Sequence, residues 1–197
     1  MADLTAFILA GGQSSRMGRD KAFLPFNGRT LLEHAIALAK AVAEDVVLIG
    51  QRAKLDPYGV VTQDIFPGCG PLGGIHAALS CTQTDLNLIL ALDTPFVPPK
   101  FLAYEIDHAR AALSAVVTYP RTSDQYQPLC AVYRKPFLLT AEAALQAGRY
   151  KIEPLLESVP ACIIGDAELQ RLSLSPAIFD NLNTPADWER ACRNFGL

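Results

Sequence analysis

The chain has 197 residues, 50% of them hydrophobic and 19% charged, enough apolar material for a compact core without disulfide or metal staples. Its net charge of −3 disfavours a general nucleic-acid binder, which would be basic. The five cysteines (69, 81, 130, 162 and 192) are scattered with no Cys-x-x-Cys pair, which counts against a disulfide framework and a zinc site and suits reduced cysteines acting as small hydrophobes.

In chain order, Thr5 to Leu9 reads as a buried strand, followed by a loop with Gly11, Gly12, Gly18, two serines and the cations Arg16, Arg19 and Lys21. Phe23 to Phe26 is a short apolar piece ending in a turn at Asn27-Gly28. Thr30 and Glu33 form a capping box, and Leu32, Ala35, Ile36, Ala39 and Val42 recur at helical spacing behind it. Asp45 to Ile49 and Val60 to Gln63 read as strands two and three, so the order is the βαβ pattern of a parallel sheet.

A second glycine-rich loop, Ile65 to Ile75, opens a helix to about Cys81. Leu86 to Leu92 is nearly all apolar, as a strand covered on both faces should be, and stops at Asp93-Thr94-Pro95. Pro98-Pro99 lead into a helix to about Leu113, and Ala115 to Tyr119 is the next strand. Arg121 to Gln127 reads as a surface loop, Leu129 to Tyr133 as a strand, and Pro136 to Ala147 as a helix ended by Gly148. A short helix over Ile152 to Ser158 precedes an edge strand at Ala161 to Ile164. Gly165 to Pro176 has no clear pattern, Ala177 to Phe179 suggests a last short strand, and Thr184-Pro185-Ala186-Asp187 starts a final helix. No repeat or linker divides the chain, so one domain over 1–197 is expected. The N-terminus has no basic leader and no apolar run could span a bilayer, so a cytoplasmic protein is expected.

The first loop is neither a P-loop nor the Gly-x-Gly-x-x-Gly fingerprint, yet glycines after a buried strand let backbone amides meet a polyphosphate. Arg16 and Lys21 would offset charge on the phosphates and on a departing pyrophosphate. Asp93, after an apolar strand, could cap its own turn. It would also lie at the carboxyl edge of the sheet, where ligands of such folds bind, and one carboxylate there suits magnesium. Gly68 to Gly74, including Gly73, could be a tight helix entry or a wall against base or ribose. Asp64, just before it, can accept hydrogen bonds from guanine or a ribose hydroxyl. Asn181 and Asn183 could assist a metal or phosphate, or cap the last helix. The three histidines form no metal or triad pattern, and no Gly-x-Ser-x-Gly is present.

Taken together, Leu9-Ala-Gly-Gly12, Ser15-Arg-Met-Gly18, Asp20-Lys21 and Phe26-Asn-Gly-Arg-Thr-Leu-Leu32 resemble the opening of the molybdenum cofactor guanylyltransferase (MobA-like) family. Gly70-Pro-Leu-Gly-Gly74, Asp93 to Pro99, Gln127 to Tyr133 and Asn181-Leu-Asn-Thr-Pro185 continue the resemblance in the same order. It implies a Rossmann-like three-layer αβα fold with a mostly parallel central sheet, as in nucleotide-diphospho-sugar transferases. It implies Mg-dependent transfer of GMP from GTP to the phosphate of molybdenum-molybdopterin, with pyrophosphate released. By resemblance Leu9, Ala10, Gly11, Lys21 and Asp64 meet the nucleotide, Asp93 holds magnesium, and transient contact with cofactor-synthesis proteins and apo-molybdoenzymes follows. One departure stands at Val47-Leu-Ile-Gly50, where the family often places a nucleotide-contacting Asn. A cytidylyltransferase, another small-phosphate nucleotidyltransferase and a non-catalytic nucleotide-binding delivery module remain the alternatives. Arg121 to Gln127 and Gly148 to Lys151 hold candidate anion and pterin contacts, with a solvated loop as the competing reading.

Overall fold

The computed structural model describes residues 3–11, 20–123, 125–182 and 187. The chain runs through β1 (Leu4–Leu9), a 3-10 turn (Lys21–Phe23), the hairpin strands β2 (Pro25–Phe26) and β3 (Arg29–Thr30), α1 (Leu31–Lys40) and β4 (Asp45–Ile49). Then come α2 (Arg52–Leu55), a 3-10 turn (Asp56–Tyr58), β5 (Val60–Thr62), α3 (Pro71–Cys81), β6 (Leu86–Ala91) and α4 (Pro99–Ala111). The second half holds β7 (Val117–Thr122), β8 (Gln125–Tyr126), β9 (Cys130–Arg134), α5 (Phe137–Gln146), α6 (Glu153–Glu157), β10 (Ala161–Ile164), α7 (Asp166–Arg171) and a 3-10 turn (Pro176–Phe179).

The main sheet has the order β10-β7-β9-β6-β1-β4-β5, with β8 paired to β7. β1 is parallel to both β4 and β6, and β4 to β5, while β9 runs antiparallel between β6 and β7. Side chains alternate across β1 and β6. Leu4, Ala6, Ile8, Leu86, Leu88 and Leu90 face the layer that holds α1 and α4, whereas Phe7 and Ile89 face α3 and α5. The sheet is therefore covered on both faces, the three-layer αβα arrangement that the family resemblance implies. β6 lies between β1 and β9, which explains its run of apolar residues, broken only by Asn87.

The Thr30–Glu33 box forms as expected, with the Glu33 amide donating to Thr30 Oγ1 at 3.2 Å and the Thr30 amide to Glu33 Oε2 at 2.7 Å. Asn27 and Gly28 both have positive φ, 47° and 75°, so the expected turn closes a two-strand hairpin. Two expectations are corrected. Arg121 to Gln127 is a hairpin and not a loop: β7 continues to Thr122 and pairs with β8, Arg121 opposite Tyr126. Its polar side chains show no apolar alternation because an edge hairpin buries little. Ala177 to Phe179 lies in a 3-10 turn and not a strand, because Pro176 lacks a ladder N–H and Ser175 Oγ takes the Ala177 amide at 3.3 Å. The unpatterned stretch after Gly165 contains α7, whose entry is set by the Gly165 amide donating to Glu168 Oε2 at 3.0 Å. Val42 falls beyond the end of α1. Of the expected last helix only Asp187 is described, in helical conformation. Among the described residues no helix is long and apolar enough to cross a membrane.

Candidate active site at the carboxyl edge of the sheet

Four parallel strands end side by side, and the residues that follow them meet. The Ala10 amide donates to the Ile49 carbonyl at 2.9 Å and the Gly50 amide to the Thr62 carbonyl at 3.0 Å, so the ladder runs one residue past β1 and β4. A Cβ on Gly50 would lie 2.8 Å from Leu55 Cδ1 and 3.1 Å from the Gly11 nitrogen. Glycine at 50 thus lets α2 and the first glycine turn pack against each other. Asp64 Oδ2 lies 3.8 Å from the point where a Gly11 Cβ would sit, which brings the third-strand carboxylate to the first-strand turn. Asp64 Oδ1 is buried and has no hydrogen-bond partner among the described residues, and burial pushes the Asp64 carboxyl up from its ordinary value. An acceptor closed off from water and left unpaired is costly, so this oxygen awaits a donor.

Lys21 and Asp93 form the second element. Lys21 begins the 3-10 turn that Asp20 caps, its carboxylate accepting from the Ala22 amide at 3.2 Å and from Lys54 Nζ at 2.7 Å. Asp20 is thereby engaged in holding Lys21 in place. Lys21 Nζ stands 3.5 Å from Asp93 Oδ2, their side chains 17% and 30% exposed. Burial pulls the Lys21 ammonium down from its ordinary value while the Asp93 carboxylate, and then Asp187, oppose that. The turn carrying Asp93 is held from two sides. The Leu182 amide donates to the Asp93 carbonyl at 2.8 Å. His34 of α1 lies with Nε2 2.8 Å from the Pro95 carbonyl; since a carbonyl only accepts, that nitrogen carries the proton. Phe26, Leu31 and Leu182, with Leu24 and Phe96 against them, make a small apolar cluster that ties the hairpin, α1 and the Asp93 turn together.

The structure thus brings together Leu9, Ala10, Gly11, Asp64, Lys21 and Asp93. Leu9 also packs on α3: a Cβ on Gly74 would come within 2.9 Å of its Cδ2. Gly73 has a packing reason of its own, since a Cβ there would lie 2.9 Å from the Phe66 carbonyl oxygen, and its amide donates to Gly70 at 3.1 Å. Arg16, Gly12 and Asn183 lie outside the described residues. Sequence reasoning missed Gln51, Lys54 and Leu55, which line a crevice with Ala10, Gly11 and Asp20. A four-residue helix shows no periodicity, so only the Gly50-Gln51 break before it could have hinted at it. His34 and Leu182 carry no motif at all.

A hard cation fits the donor set. Among the described residues no three His, Cys, Asp or Glu side chains cluster to cage an ion, but magnesium typically takes one or two carboxylates and completes its shell with water and phosphate oxygens. Asp93, partly exposed at the edge, meets that need.

Parallel strands ending at a glycine turn, with a lysine and carboxylates set beyond them, define a nucleotide-binding α/β protein. Residues 6–161 match the MobA-like NTP transferase domain, and the chain belongs to that family. It is 33% identical over 100% of its length to a Carboxydothermus hydrogenoformans protein named "Probable molybdenum cofactor guanylyltransferase", covering 99% of that protein. It is 32% identical to the molybdenum cofactor guanylyltransferase of Desulfosudis oleivorans, over 97% of this chain and 95% of the relative. The crystal structure of molybdopterin-guanine dinucleotide biosynthesis protein A from Archaeoglobus fulgidus superposes with a TM-score of 0.83 at 27% identity, over 95% of this chain and 96% of that one. The fold is that of the nucleotide-diphospho-sugar transferase group of nucleotidyltransferases.

Proposed function

We propose that this chain is a molybdenum cofactor guanylyltransferase, a single domain over 1–197 that transfers GMP from GTP to the phosphate of molybdenum-molybdopterin and releases pyrophosphate. Family membership and the names of the relatives support the reaction class and the acceptor. The observation that carries it in the structure is the Lys21–Asp93 pair set beside a glycine turn and the unpaired Asp64 oxygen.

An acceptor phosphate oxygen forms a bond to the α-phosphorus of GTP as the bond from that phosphorus to the α–β bridging oxygen breaks. The attacking group is already anionic, so no side-chain base or covalent nucleophile is needed, which agrees with the absence of a triad pattern in the sequence. Positioning and charge stabilisation then carry the rate. Leu9, Ala10 and Gly11 offer backbone to the nucleotide. Asp64 accepts from guanine N1–H and the 2-amino group, or from a ribose hydroxyl. Lys21, joined by Arg16 in this reading, offsets the charge gathering on pyrophosphate. Asp93, assisted by Asn183, would hold magnesium, which supplies positive charge to the phosphate oxygens. The reading places the protein in the cytoplasm, in transient contact with cofactor-synthesis proteins and apo-molybdoenzymes.

The test is to supply the chain with each nucleoside triphosphate, magnesium and molybdenum-molybdopterin and to measure pyrophosphate. GTP should be the strongly preferred donor. Preference for CTP, or nucleotide binding with no pyrophosphate from any donor, overturns the proposal.

A further inference from the structure

Lys21 has two acidic neighbours: Asp93 across the edge, and Asp20 beside it in the chain. The two carboxylates are handled differently. Asp93 is left facing Lys21 Nζ, whereas Asp20 is taken by a second cation, Lys54 of α2, whose Nζ donates to Asp20 Oδ2 at 2.7 Å. We propose that Lys54 is a positioning residue for nucleotide binding. It acts through Asp20, cancelling that carboxylate behind the glycine turn so that a polyphosphate can approach and Lys21 remains free to meet it. This rests on the proposed function for the identity of the anion, but not for the pairing.

Asp20 is part of the glycine-turn wall. It lines one crevice with Ala10 and Gly11, and Gln51, Lys54 and Leu55 close that crevice from the side of α2. A lone carboxylate there opposes any polyanion held by the turn. Even at a separation of about 10 Å, one unit charge against another at an effective dielectric constant of about 20 weakens binding roughly tenfold or more before salt screens it. A paired carboxylate presents a dipole instead, and the field of a dipole falls off faster with distance. Among the described residues Lys54 is the one side chain bonded to Asp20. By contrast, the cleft at the carboxyl end of β7, between the β7–β8 hairpin and the turn after α7, has no lysine or arginine in its described lining. Positive charge is supplied on the glycine-turn side, where a polyphosphate would need it.

What Lys54 adds is charge, because the shape of the Lys21 turn is secured without it. Asp20 Oδ1 caps that turn by accepting from the Ala22 amide at 3.2 Å, and this is the oxygen Lys54 does not use. Ala22 is buried, and the Phe23 and Tyr58 rings meet with centroids 5.8 Å apart. Leu55 is buried against Gly50, where no Cβ would fit. Apolar contacts therefore seat the turn on α2 and on the 3-10 turn after it. The pair itself is half in water, with side chains 50% and 29% exposed, so it lends the fold little stability. An ion pair that the fold hardly needs, set at the back of an anion site, is placed for the charge of the ligand.

The experiment titrates a non-hydrolysable GTP analogue, with magnesium, into the full chain at low and high salt, and records melting curves in parallel. The variants are Lys54→Met, Lys54→Arg, Asp20→Asn and the double variant Asp20→Asn with Lys54→Met. Asparagine at 20 keeps an oxygen to cap Ala22 and removes only the charge. Lys54→Met should weaken binding about tenfold at low ionic strength, with a deficit that shrinks as salt is added, while Lys54→Arg should bind as the parent does. In the Asp20→Asn background Lys54→Met should change affinity by less than about twofold, and all melting temperatures should stay near that of the parent. No deficit in Lys54→Met, or a deficit of equal size in both backgrounds, overturns the proposal, the second because Lys54 would then meet the nucleotide itself. A deficit that persists at high salt and follows a large fall in melting temperature also overturns it, leaving Lys54 a structural residue. Failure of the parent to bind the analogue overturns both this proposal and the proposed function. The expected coupling in a protein that releases no pyrophosphate with any triphosphate would retire the proposed function and leave the Lys54 assignment standing.

Discussion

On the β1–β4–β5 side of Asp93 the carboxyl edge is made of backbone and charge: glycines at 11 and 50, the Lys21–Asp93 pair and the half-buried Asp64 carboxylate. On the β9–β7 side it is made of neutral side chains, the amides of Gln125 and Gln127 and the Thr122 hydroxyl, with Asp180 alone charged among the described lining. A triphosphate is the same polyanion whatever base it carries, so backbone amides and fixed charge suffice to hold it. The neutral side offers no fixed positive charge among its described lining with which to hold a polyphosphate. The two halves should therefore fail differently, and the charged half is the one whose loss should remove the chemistry.

The largest effect should come from Asp93→Ala. Transfer should vanish while the melting temperature stays near that of the parent, since Asp93 is partly exposed at the end of a strand. Magnesium-dependent pyrophosphate release retained in the variant would sink the metal assignment. Next, Lys21→Ala should lose roughly 3–4 kcal/mol of transition-state stabilisation, as other preorganised charge groups do when removed. A kcat within a factor of a few of the parent would count against its role at the leaving group.

Asp64→Asn should act on nucleotide binding, raising the KM for GTP by the loss of a charged hydrogen bond, about 1.5–3 kcal/mol, with a smaller change in kcat. Burial raises the Asp64 pKa, so in the parent GTP affinity should weaken as pH falls and the carboxylate takes a proton, whereas Asp64→Asn should lose this acid limb. Identical pH profiles for the two proteins would remove Asp64 from the site.

The smallest effect on transfer, with the consequence confined to stability, belongs to Glu105. It is fully buried on α4, with one oxygen unpaired among the described residues and the Cys130 thiol donating to the other at 4.0 Å. Burial holds its pKa well above the ordinary range, so the folded state keeps a proton that the unfolded chain gives up. Below the unfolded value, about 4.3, the group makes no difference; above it, stability falls by about 1.4 kcal/mol per pH unit until the folded carboxyl ionises. Glu105→Gln should therefore be more resistant to urea than the parent from neutral to alkaline pH and level with it in acid. Parallel stability curves would show that Glu105 is not the buried proton. The same variant should leave both halves of the edge working, which separates a perturbed carboxyl from a functional one.

Much of this was legible in the chain. The strand before Gly11, the capping box at Thr30 and Glu33, the apolar run of Leu86 to Ala91 and the edge strand at Ala161 to Ile164 all carry local patterns that the structure reproduces. The hairpin over Arg121 to Tyr126 and the 3-10 turn at Pro176 to Phe179 were not legible as such. The first buries too little to show alternation, and the second has an apolar run that resembles a strand until proline and a serine cap decide otherwise.

Sequence alone determined the parallel sheet, the glycine turn and the carboxylates at strand ends, because periodicity and residue type are local properties. Only the tertiary structure decided that Lys21 faces Asp93, that His34 and Leu182 hold the Asp93 turn, and that residues some 55 apart close one cleft. Those are distances between strand ends that the chain visits in one order and the sheet stacks in another, with β9 running antiparallel between β6 and β7, and no local pattern encodes them.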